Sequence, residues 1–172
     1  MYLLRGVRML KKYSILPFLS CIGLCVSIQA ADVMSEIQTL NGQRALFNAT
    51  STKLGLLVGS LDNSSSANPK SKTALVNVLN DTMISADNYS KNCEKIKERI
   101  ALRAQSFVES KLQREAQVID KDLSQLKLSE ESQPQEYALA KKAIEYKHKM
   151  STCTTLAAIL SGSLQSQAGQ DE

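Results

Sequence analysis

Few side chains in this sequence are equipped for chemistry, and their spacing limits what they can do. There is one histidine, His148, and there are four cysteines, Cys21, Cys25, Cys93 and Cys153. A single imidazole excludes a multi-histidine metal centre within one chain and leaves only a Cys–His or Ser–His pair for nucleophilic catalysis. Glu145 and His148 have the Glu-x-x-His spacing of carboxylate-bridged di-iron bundles. Such sites need two of these motifs plus two further glutamates, so a symmetric dimer would have to supply the second copy. A helical seam through Tyr146 and Met150 turns His148 outward, and a solvated histidine is expected. Cys153 lies in Ser-Thr-Cys-Thr-Thr, with Lys147 and Lys149 too far round the helix to activate it. A sulfur without a cationic neighbour is inert, so its expected role is structural. Glu94 and Glu98, among Lys95, Lys97 and Arg99, read as a solvated mixed-charge face. Phosphate loops, nucleophile elbows, zinc spacings and EF-hand loops are absent from the sequence. No catalytic, cofactor-binding or metal-binding residue is therefore assigned, and a non-enzyme without a cofactor is expected.

The N-terminal thirty residues read as an export signal. Arg5, Arg8, Lys11 and Lys12 form a basic region, Tyr13 to Ile28 is apolar apart from Pro17, and cleavage is expected after Ala30. The apolar run of sixteen residues is short of the ~20 a spanning helix needs, so no stable membrane anchor is expected after cleavage. Residues 1–30 hold four basic groups and no acids, leaving seventeen Lys+Arg against seventeen Asp+Glu in the remainder. A neutral mature chain argues against nucleic acid as partner, since binding to phosphates needs a basic excess. Cys21 and Cys25 depart with the signal. Cys93 and Cys153 then meet an oxidising compartment, where pairing is the default.

The remaining residues are organised around the stretch 70–133, which has neither glycine nor proline and whose apolar residues return every three or four positions. An all-α fold is predicted: an elongated three- to four-helix bundle or helical hairpin with coiled-coil-like seams. The first helix is expected over 33–61, with a seam through Val33, Ile37, Leu40, Phe47, Leu54, Val58 and Leu61. Asn41-Gly42 is a candidate kink, and Gly55 and Gly59 form a small-xxx-small pair. Residues 62–69 read as a linker, with Ser71 as the next cap. Helices are then expected over 71–88 and from 91 to 120 or 128, separated by a break at 87–92. Residues 130–135 form a second loop in which Ser132 and Gln135 make a capping-box pair around Pro134. The last helix spans 133–161 and stops at Gly162, with 162–172 a disordered tail.

An unbroken helix from Cys93 to Leu128 would rise roughly 53 Å, and the return from Gln133 to Cys153 only roughly 30 Å. The two sulfurs would then miss by more than ~20 Å, against the ~6 Å between Cα atoms that a disulfide needs. Either the long helix ends early, near Asp120-Lys121-Asp122, or the bridge is not within one chain. An intrachain bridge is favoured by the compartment; a dimer-linking bridge and two buried thiols are the alternatives.

These features suit an exported, periplasmic or extracellular protein that works by binding another protein: an envelope adaptor, a chaperone or a minor component of a secretion or conjugation system. A homo-oligomer stays open. In its plan of a cleaved signal followed by a few long Gln/Lys/Ala-rich helices, the chain resembles minor pilus subunits of type IV secretion systems, with no shared motif. Val76, Val78, Met83 and Ile84 are expected to form the partner groove. A metal- or thiol-dependent enzyme assembled in a dimer is the first alternative, requiring His148, Glu145 or Cys153 to turn inward. A eukaryotic secreted helical ligand or inhibitor is the second. Sequons at Asn48, Asn63, Asn80 and Asn88 bear on that alternative, and Asn63, in the linker, is the informative one.

Overall fold

The computed structural model describes the backbone of residues 16–64 and 68–169, and side chains within that range from residue 31 onward. The expected leader and its cleavage point lie outside the described side chains. Among the described residues there are three α-helices: α1 Leu16–Asp62, α2 Pro69–Ser124 and α3 Pro134–Ala168. Among the described residues there is no strand, and no helix is long and apolar enough to cross a membrane.

Each helix begins and ends for local reasons. Asn68 Oδ1 accepts the Lys70 N–H at 3.1 Å, and Pro69 occupies the first turn of α2, where its missing donor costs nothing. Asn68, not the expected Ser71, is therefore the cap. Pro134 opens α3 in the same way, but its N-cap is Gln133, which makes no side-chain cap bond. The expected Ser132–Gln135 capping box does not form. Neither Gly42 nor Gly162 breaks its helix. A methyl group at either would meet nothing within 4 Å, so both glycines face open space. In α3 the helix passes Gly162 to bury Leu164, and the cap is Gly169. The expected tail is thus helical as far as Ala168.

The α1 seam packs as its spacing predicts, with Ile37, Leu40, Phe47, Leu54, Val58 and Leu61 buried. α3 is the central helix, and its ten buried residues occupy a wider face than a single seam. It runs antiparallel to α1: Ser51 Oγ donates to the Lys147 carbonyl at 2.9 Å, and Ser161 Oγ to Asn41 at 3.4 Å. It runs parallel to the first part of α2, since Lys72 pairs with Glu136 at 2.5 Å and Glu94 with Lys149 at 3.1 Å.

α2 does not run straight. Residues 87–92, the expected break, are helical throughout, whereas Ala104 leaves the helical region at φ −153° and ψ 61°. A straight helix would separate Glu94 from Asp122 by about 42 Å. Yet Glu94 bonds Lys149 and Asp122 bonds His148, which are adjacent residues of α3. The chain therefore folds back at Ala104, and residues 105–124 descend beside α3. α1, the two arms of α2 and α3 make an up-and-down four-rod bundle from three helices.

Candidate functional site

The fold-back brings together what the sequence separates. Cys93 and Cys153 form an intrachain disulfide with Cα atoms 5.5 Å apart, both residues fully buried between α2 and α3. The reversal at Ala104 resolves the length mismatch. The first arm climbs from Cys93 to Ala104, and the second arm with residues 125–133 carries the chain back down to the start of α3. The early helix end near residue 120 that the sequence invited is not used; α2 continues to Ser124. Cys153, tied to Cys93, presents no thiol for nucleophilic chemistry.

His148 is not solvated. Its side chain is 12% exposed, and Nε2 lies 2.8 Å from Asp122 Oδ2. Lys147 Nζ donates to the same oxygen at 2.6 Å. The outward assignment failed because the returning arm of α2 packs on the flank of α3 that would otherwise face water. Partial burial works to raise the Asp122 carboxyl, but hydrogen bonds from Lys147 and His148 outweigh it and hold the group below the usual aspartate value. No local motif marks Asp122 as a partner of His148. Its trace in the sequence is a stripe through Val108, Glu115, Ile119, Asp122 and Leu126, four and three apart after the first step. Glu145 is exposed and takes no part, so the Glu-x-x-His pair is not assembled. Among the described residues no three His, Cys, Asp or Glu side chains converge as a metal site would require.

A second feature is a shallow cleft of about 440 Å³ between α2 and α3, lined by Asn80, Met83, Ile84, Asp87, Asn88, Lys142 and Tyr146. Of the four residues expected to form a groove, only Met83, buried at its floor, and Ile84, 62% exposed, line it; Val76 and Val78 do not. Tyr146 OH donates to Asp87 Oδ1 at 2.8 Å across the floor. Burial together with the neighbouring Asp87 pushes the phenol above its ordinary pKa, so it stays a donor at neutral pH. Outside the cleft, Glu94 pairs with Lys97 and Lys149, which outweigh its partial burial and lower its pKa.

Asn63 is engaged, its Nδ2 donating to the Gly59 carbonyl and its Oδ1 accepting from Lys127 Nζ, each at 2.8 Å. Asn48, Asn80 and Asn88 lie exposed on helices. Compared with protein-family models, with curated proteins and with solved structures, the chain matches none.

Proposed function

We propose that the protein is exported, loses residues 1–30, and acts without catalysis by holding a partner protein in the cleft between α2 and α3. The observation that carries this reading is the cleft itself: an exposed Ile84 beside buried Met83, with Asp87 and Lys142 as polar handholds. An apolar rim flanked by opposite charges suits an amphipathic helix laid along the groove. Export is supported by the basic and apolar leader, and by a disulfide of a kind that persists in oxidising compartments. Periplasmic adaptor, chaperone and minor secretion-system component are the roles this reading covers.

The test is a photoactivatable residue placed in the full chain at Ile84 and, separately, at Leu56, which is 69% exposed on α1. Irradiation in the native envelope should give one discrete adduct from position 84 and none from 56. Equal adducts from both positions, or none from 84, would overturn the assignment of the cleft.

A further inference from the structure

Residues 105–124 are held on the bundle in a different way from everything around them. Eight of the nine buried residues of α2 precede Ala104, and only Val108 follows it. Phe107, Ile119 and Leu123 pack in part against the core, while Leu112 and Val118 are 38% and 42% exposed. The polar contacts to other elements cluster at the lower end. There Asp122 meets Lys147 and His148, and just beyond the helix Asp62 Oδ1 accepts the Lys127 and Leu128 N–H groups at 2.7 and 3.0 Å. Beneath the arm, Glu115 Oε2 is buried and finds no hydrogen-bond partner among the described residues. Glu115 is only half-buried, and without a partner that oxygen adds nothing to hold the arm closed. At the upper end, Ala104 already has non-helical backbone, so the arm can pivot there without breaking further helical turns.

We propose that residues 105–124 form a hinged strap that opens about Ala104 while the disulfide-linked remainder stays folded. Asp122, through Lys147 and His148, is its releasable clasp, and the unpartnered Glu115 adds nothing to hold it closed. Segments with few buried apolar contacts open locally at far lower free energy than the whole molecule. An arm of this length without tertiary contacts is a marginal helix, so its opening exposes its amides. The inference goes beyond the docking reading and does not depend on it.

Hydrogen–deuterium exchange on the full chain, with the disulfide intact, reads this directly. Amides of 108–124 should exchange as one unit at least about tenfold faster than those of 89–100 and 140–160. Asp122→Asn should accelerate that unit about fivefold, and Glu115→Leu, which fills the stripe with an apolar group, should slow it. Uniform exchange across the two arms of α2, an Asp122→Asn variant whose arm exchanges no faster, or a Glu115→Leu variant that fails to slow the arm would overturn the proposal.

Discussion

Asp122 carries more of this structure than its exposure suggests, because one oxygen receives both Lys147 and His148. Its pKa is lower folded than unfolded, so the unfolded chain binds the proton first as the medium is acidified. The stabilisation is therefore complete at neutral pH and is lost as pH falls below about 4. Asp122→Asn should flatten that part of an acid-unfolding curve and lower stability at pH 7 by about 1 kcal/mol. Cys93→Ala combined with Cys153→Ala opens a loop with a sequence separation of 60, and should cost about 2–4 kcal/mol in urea unfolding. Ser90 is 8% exposed, and its Oγ lacks a partner among the described residues. Ser90→Ala should accordingly leave stability unchanged or raise it by up to about 1 kcal/mol in the same assay.

Among the elements, α1 was the most legible in sequence, since its inward residues keep a regular seam and nothing else competes for that face. α3 was legible along its seam but not in width: packing against both other helices buries Ala140, Ile144 and Leu156 as well. The fold-back at Ala104 was hidden for a physical reason. Alanine is the strongest helix former, its neighbours Leu102, Arg103 and Gln105 are good ones, and no glycine or proline marks the reversal. The reversal follows from tertiary packing, which lets the stripe of residues 105–124 cover α3. The only trace in the sequence is a drift of the seam where Ala104 and Leu112 give way to Val108 and Glu115. The site residues hang on that reversal, so Cys153 is legible as a pairing candidate whereas the seam alone points His148 to the wrong side. Gly42 is an opposite case, a helix breaker by type that the helix tolerates in open space. Gly42→Ala should therefore raise stability by about 0.5–1 kcal/mol, measured by thermal unfolding.

Over the whole molecule, one reversal turns three helices into four alternating rods, joins Cys93 to Cys153 and brings Asp122 to His148. It also leaves the α2–α3 cleft, with Ile84 exposed on its rim. Spin labels at Lys91→Cys and Lys121→Cys, both exposed and thirty positions apart on α2, measure the reversal with the native disulfide in place. In a bundle of closely packed rods the two labels should lie under about 30 Å apart. A distance near 45 Å, the rise of an unbroken helix over that span, would contradict the fold-back and everything that rests on it.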